Sequence, residues 1–237
     1  MEVGTLPQPE RRDFSKVSYD EAMRRARDCV PTLRERAQQS EDARVLLRDN
    51  EQLLHEQGLF RYHQPKRFGG MELPFHAVVD IVAAAGHPLS ATALGAAEGA
   101  YEHVKEKFAT RVGTYTGARV SDFQAAQVKL AKARVLIDSA RHLMRDLAMT
   151  FGKGEPLDME TKLRLRAQNT FAVMQCREAV ETLWSFYGAN AIYTRDPLQR
   201  YLRDAQAINQ HFSFNFDIAG AAFGIAALGG KYAHPTM

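Results

Sequence analysis

The chain has 237 residues, 45% hydrophobic and 25% charged, enough apolar material for the core of one large domain or two small ones. Its net charge of +3 is spread over interleaved acids and bases, as in Arg34–Glu35–Arg36, so no basic stripe suggests a nucleic-acid surface. Cys29 and Cys176 lie far apart and form no CxxC pair, which predicts free thiols and a reducing compartment.

Residues 1–17, rich in Pro and charge, read as a flexible arm without the apolar run of a secretory leader. Helical composition begins at Tyr19 and runs to Gln39, with Pro31 marking a kink or a boundary. Ser40 is a candidate N-cap for a helix over Glu41–Gln57, and Gly58 stands where a C′ glycine stops one. Pro65, Gly69, Gly70 and Pro74 make 59–74 a loop, and Phe75–Ala85 is a short apolar helix. A small-residue helix follows from Leu89 to about Thr110.

After a turn at 113–120, Ser121-Asp122-Phe123-Gln124 has the spacing of a capping box. Behind it Phe123, Gln127, Leu130, Arg134, Ile137, Arg141, Met144, Leu147 and Phe151 mark one stripe, closed by Gly152. A second long helix spans Met159 to Tyr187 and ends at Gly188; Pro197 opens a third through Gln210. Ile218–Leu228 is a last small-residue helix, and 218–230 is too short and glycine-rich to span a bilayer. Phe212 to Phe216 alone alternates with period two, too briefly to found a sheet. Long helices with short connections predict an all-α bundle. The expectation is a cytoplasmic protein that binds neither nucleic acid nor membrane.

Metal chemistry has no footing: the eight histidines are scattered, without HExxH or paired His/Cys spacing. No nucleophile elbow, P-loop or Rossmann fingerprint occurs. Gly220 and Gly224 read as close helix packing, and Trp184, Phe186 and Tyr187 as core. Three places remain. Arg111, beside a glycine-containing turn, could offer a guanidinium fork, and the turn its backbone N–H groups, to a phosphate, although by composition alone it is better read as a helix-end surface arginine. Gly188-Ala189-Asn190 is a turn that a ring or phosphate could approach closely. His211 follows Arg203–Asp204 by two helical turns, where an isolated histidine is ordinarily structural.

These places are also where the chain becomes familiar. Leu53 through Gly70, with Gly58, Gln64-Pro65-Lys66 and Phe68-Gly69-Gly70, is one stretch. Leu94 through Gly99 and on to Arg111-Val-Gly-Thr-Tyr115-Thr-Gly117 is the second. Cys176 to Glu181, Gly188-Ala189, Leu198 to Ala205 and the terminal Pro235-Thr-Met237 make the third. Together they resemble the flavin-dependent monooxygenases of acyl-CoA dehydrogenase fold, of the type of the oxygenase component of two-component 4-hydroxyphenylacetate 3-hydroxylase.

The resemblance implies an N-terminal helical domain over 18–87 and a C-terminal helical bundle over 88–237. It also implies that the family's β-rich middle domain is missing, with the seam near His87–Pro88. Arg111 would hold the flavin phosphate and Tyr115 would add a further flavin contact. Ala189 and Asn190 would form the turn near the flavin, and His211 would stand at its reactive C4a edge. The implied reaction is hydroxylation of a small phenol-type substrate through a flavin C4a-hydroperoxide. It would use reduced FMN or FADH2 from a separate NAD(P)H:flavin reductase, with molecular oxygen as co-substrate. A homotetramer built through the bundle is implied as well. Two alternatives stay open: an acyl-CoA dehydrogenase, weakened because no carboxylate lies between Asp204 and Asp217, and a non-catalytic helical oligomer.

Overall fold

The computed structural model describes residues 12–85, 89–113 and 117–232. Its helices are α1 (Tyr19–Glu35), α2 (Ala37–Ala43), α3 (Arg48–Glu56), α4 (Ala77–Ala85), α5 (Leu89–Thr110), α6 (Gln124–Gly152), α7 (Met159–Tyr187), α8 (Leu198–Asn209) and α9 (Phe216–Ala227). Among the described residues there is no strand, only one isolated bridge between Val112 and Arg119, as an all-α reading requires. The chain divides into two compact units, Met1–Ala77 and Val78–Met237. The seam at His87–Pro88 and most of the expected arm, through residue 11, lie outside the described residues.

In the first unit Ser18 caps α1 by accepting the Glu21 N–H, with Asp20 and Glu21 favourably placed in the first turn. Pro31 sits inside α1 and is not a boundary. Ser40 caps nothing: the predicted helix over 41–57 is broken where Arg44 turns left-handed at φ 54°, and α3 starts only at Arg48. The Ser40 hydroxyl accepts a hydrogen bond from the Asn50 side chain instead. Gly58 does stop α3. At φ 75° it donates to the His55 carbonyl while Leu59 donates to that of Leu54, the paired bonds of a Schellman turn.

The second unit is a bundle in which α7 packs against α5, α6, α8 and α9. Leu163, Thr170, Val173, Cys176, Val180, Leu183 and Tyr187 of α7 are all buried, so the helix is apolar on more than one side, as a central helix must be. Burial lifts the Cys176 thiol to about 12, which keeps it protonated and inert. The facing seam of α6 is Ala126, Ala133, Ile137, Ala140, Met144 and Ala148. This corrects the predicted stripe: Ile137 and Met144 belong to it, whereas Gln127 and Phe151 are exposed. Alanines at the contact let the two long helices close on each other, and large side chains stand at the flanks. The capping box at Ser121 is also absent. Val120–Asp122 forms a 3-10 turn, α6 begins after Phe123 without a side-chain cap, and the Ser121 hydroxyl turns to Asp122.

Arg134 and Arg141, counted in the predicted stripe, are half-buried and converge on Glu98 of α5 at 2.7–2.8 Å. Arg141 and Arg145 also reach Asp80 of α4, a buried carboxylate. Burial pushes the Glu98 carboxyl upward, but the hydrogen bonds and charges of Arg134 and Arg141 outweigh it and hold the group below its ordinary value. The folded value lies below the unfolded one of 4.5, so this stabilisation is complete above pH 4.5 and is lost as pH falls through the folded value. Glu98→Gln should lower stability in urea at pH 7 by about 2–3 kcal/mol. It should also flatten the loss of stability below pH 4.5; an unchanged acid limb would remove Glu98 from that role.

Candidate functional site

The end of α7 is where the predicted site residues meet. Arg111, just past α5, donates from a terminal guanidinium nitrogen to the Tyr187 carbonyl, the last of α7. A cation at that position complements the carbonyl end of the helix. The guanidinium carbon also stands 5.9 Å from the Tyr187 ring centroid. Among the described residues no other hydrogen-bond partner meets this guanidinium, which leaves N–H groups for a ligand.

The chain then turns at Gly188, with φ 92° and ψ 178°, into the 3-10 turn Ala189–Ile192. The positive φ of Gly188 calls for glycine, and a Cβ there would also lie 3.3 Å from an Arg111 guanidinium nitrogen, which would have to shift slightly. Gly188, Ala189 and Asn190 are exposed. The two predicted phosphate elements, a guanidinium and a small-residue turn, are therefore side by side. Tyr115 lies outside the described residues.

His211 stands elsewhere on the loop between α8 and α9. It is exposed, and its Nδ1 accepts the Ser213 N–H at the head of the 3-10 turn Phe212–Phe214. With Nδ1 accepting, the neutral ring carries its proton on Nε2 and offers it outward. No described hydrogen bond or ring contact joins His211 to Arg111 or to the 188–190 turn; its ring neighbours are Phe212 and Phe214.

Three residues that the sequence reading left out complete the geometry. Buried Tyr187 donates its hydroxyl to Asp196 Oδ2 at 2.6 Å. His103 Nε2 lies 3.0 Å from that hydroxyl and 3.1 Å from Asp196 Oδ1, which also accepts the Leu198 N–H that starts α8. Since the hydroxyl proton goes to Asp196, the tyrosine oxygen can accept from His103. In the sequence His103 stands among the alternating charges of Glu102, Lys105, Glu106 and Lys107, which give no reason to single it out. Its place two turns before Arg111, near the C-terminal end of α5, was the available sign that the two lie at one end of the bundle. Asp196 directly before Pro197 was another, because Asp ahead of Pro is a common helix start. Burial pulls the His103 ring below its ordinary value and outweighs the upward pull of Asp196. Burial, and then the bond to Asp196, push the Tyr187 hydroxyl upward, so both groups are neutral near pH 7.

Residues 88–216 match the family described as acyl-CoA dehydrogenase, C-terminal domain. The oxygenase component of p-hydroxyphenylacetate 3-hydroxylase from Acinetobacter baumannii is 32% identical over 152 residues, 62% of this chain and 36% of that protein. The oxygenase component of an FADH(2)-dependent resorcinol hydroxylase from a Rhizobium species is 30% identical over 154 residues, 60% of this chain and 37% of that protein. The chain thus spans a little over a third of the length of the curated relatives it matches. The crystal structure of a 3-HSA hydroxylase from Rhodococcus sp. RHA1 superposes with a TM-score of 0.82 at 19% identity, covering 92% of this chain and 99% of the other, and shows the shared fold.

With the folded value of His103 below the unfolded 6.5, stability from this site is intact above pH 6.5 and falls as pH drops through that value toward the folded one. Thermal melts should show this fall below about pH 6.5. His103→Gln, which keeps a donor but cannot titrate, should flatten it; a variant that melts with the parent's pH profile would contradict the assignment.

Proposed function

The chain belongs to the acyl-CoA dehydrogenase C-terminal domain family, and from that premise we propose that it serves a reduced-flavin-dependent hydroxylase of small phenols, as the oxygenase component of a two-component system. The observation that carries this reading is the Arg111 guanidinium held against the Gly188 turn. That donor set fits a flavin phosphate: a charged fork with N–H groups to spare, beside an exposed turn of small residues whose backbone a ligand can reach. The relatives, an FADH(2)-dependent resorcinol hydroxylase and a p-hydroxyphenylacetate 3-hydroxylase, support the cofactor and the substrate class, a reduced flavin and a hydroxylated aromatic ring.

In this reading Arg111 and the turn at Ala189 and Asn190 hold the phosphate end of reduced FMN or FADH2. Tyr115 and His211 extend the site toward the ring. The flavin, when bound, supplies the activation of molecular oxygen. His211 supplies a proton donor at Nε2, oriented because its other nitrogen is engaged by Ser213. The partners proposed are a separate NAD(P)H:flavin reductase and further copies of this chain in a tetramer. Exposed apolar side chains such as Phe171 and Phe216 favour such self-association. An acyl-CoA dehydrogenase reading fits less well, because α8 carries no carboxylate after Asp204 to abstract a proton.

Arg111→Ala should weaken reduced-FMN binding by about 1.5–3 kcal/mol, the scale of charge-assisted hydrogen bonds, as measured by anaerobic calorimetry. Undiminished binding would sink the phosphate assignment. His211→Ala should leave both FMN affinity and melting temperature near the parent's, since the ring is exposed. In preparations that hydroxylate, it should shift oxygen from phenol product to free hydrogen peroxide by about tenfold or more. A fall in melting temperature with an unchanged product ratio would make His211 structural.

A further inference from the structure

The segment between Tyr187 and Asp196 is a closed loop. Its two ends are joined by the Tyr187 hydroxyl and Asp196, and His103 bonds to both members of that pair. Inside the loop, Ala191 donates to the Gly188 carbonyl, Tyr193 to that of Asn190, and Asp196 to that of Tyr193. The base of the loop is fixed to α5 twice, once through His103 and once through Arg111, which grips the Tyr187 carbonyl. Phe108 of α5 lies against the same ring, with centroids 6.2 Å apart and planes inclined by only 23°. Tyr187 is therefore held at its ring, its carbonyl and its hydroxyl, while the turn that follows it is exposed to solvent.

Building on the phosphate reading of Arg111 and the 188–190 turn, we infer that His103, Tyr187 and Asp196 are positioning residues that preorganise this pair for the phosphate of a flavin mononucleotide. They do not touch the ligand. Their work is to fix where α7 ends, and hence the direction in which Gly188 sends the turn and Arg111 presents its free N–H groups. An exposed turn without such a tie would sample many conformations, and binding would have to order it at a cost in affinity. A largely buried cluster in which Tyr187, His103 and the Leu198 N–H all bond to the Asp196 carboxylate is suited to this because each group has its partner, and moving any of them leaves a polar atom unsatisfied.

The experiment compares FMN with riboflavin, which lacks the phosphate, by anaerobic equilibrium dialysis of the reduced forms against the parent chain and three variants. The parent is expected to prefer FMN, and Arg111→Ala to lose that preference. Tyr187→Phe keeps the ring against Phe108 and removes only the hydroxyl; Asp196→Asn keeps the side chain's shape. Each should cut the FMN-to-riboflavin preference by about tenfold while changing riboflavin affinity less than twofold, because only the phosphate end has lost its preorganisation. A general loss of stability would lower both affinities together and leave their ratio alone, so the ratio separates positioning from folding. Hydrogen exchange of the 188–193 amides should rise in both clamp variants, even where melting temperatures match.

If Arg111→Ala loses the preference while both clamp variants keep it, the clamp is not a positioning device and the phosphate site stands. If Arg111→Ala keeps the preference, or the parent binds neither flavin, the phosphate reading fails and the clamp's assignment falls with it. Should Asp196→Asn not fold, Tyr187→Phe alone decides.

Discussion

Helix α7 is the constraint from which the rest of the second unit takes its shape. It is surrounded by α5, α6, α8 and α9, and its buried residues run from Leu163 to Tyr187 on more than one face. The alanines at 126, 133, 140 and 148 of α6 leave it little room, because a helix seam lined with methyl groups closes to short axial distances. A close-packed interior does not allow such a helix to slide by fractions of a turn without opening cavities. Its C-terminal carbonyls therefore end at a fixed point. That point is Tyr187, and Arg111, the Gly188 turn and the Asp196 loop are all built from it.

Helix α5 converts this fixed point into chemistry, since it carries both polar clusters of the bundle. Glu98 and His103 are partly buried titratable groups on the same helix, and their environments tip them in opposite senses. For Glu98 two arginines overcome the penalty of burial, and the group stays charged. For His103 one carboxylate does not overcome it, and the ring stays neutral. The difference follows from partner number: paired guanidinium forks deliver several charge-assisted bonds, whereas Asp196 shares its oxygens among His103, Tyr187 and Leu198. The first cluster fixes α4, α5 and α6 against one another, and the second fixes the end of α7 and the start of α8. Paired ions do the holding at the first cluster, and hydrogen bonds from uncharged donors to a single carboxylate do it at the second.

Helix ends were legible wherever backbone chemistry alone decides them. Gly58 past α3, Gly188 past α7 and Pro197 before α8 each mark their boundary, because positive φ or a missing N–H leaves few options. The expected caps failed where a competing local structure won: a left-handed Arg44 broke the helix predicted after Ser40, and a 3-10 turn absorbed Ser121. The α6 stripe was misplaced because periodic large side chains draw the eye, while the packed seam is made mostly of alanine. At the site, the approach of Arg111 to the 188–190 turn rests on tertiary packing of α5 beside α7; only the family resemblance anticipated it. His103 and Asp196 were missed for the same reason. Ninety-three residues separate them, and nothing local to either shows that they touch.

The proposed hydroxylation asks two different things of a protein, and this chain's residues answer them unequally. Holding a phosphate needs preorganised donors, and the buried clamp beneath an exposed turn supplies them without excluding solvent. Steering activated oxygen toward a phenol rather than into free peroxide needs water kept away from the flavin ring. Ala189, Asn190 and His211 are all exposed, and an outward Nε2–H on His211 shares its donor with bulk water as readily as with a ligand. Exclusion of water around His211 would change that balance in two ways: it would strengthen the donor by lowering the local dielectric, and it would remove the competing acceptor. A turn already ordered by Asp196 and Tyr187 loses less freedom when a ligand covers it. On the proposed reading the clamp bears on binding directly, because it holds the turn and Arg111 in one arrangement before a ligand arrives.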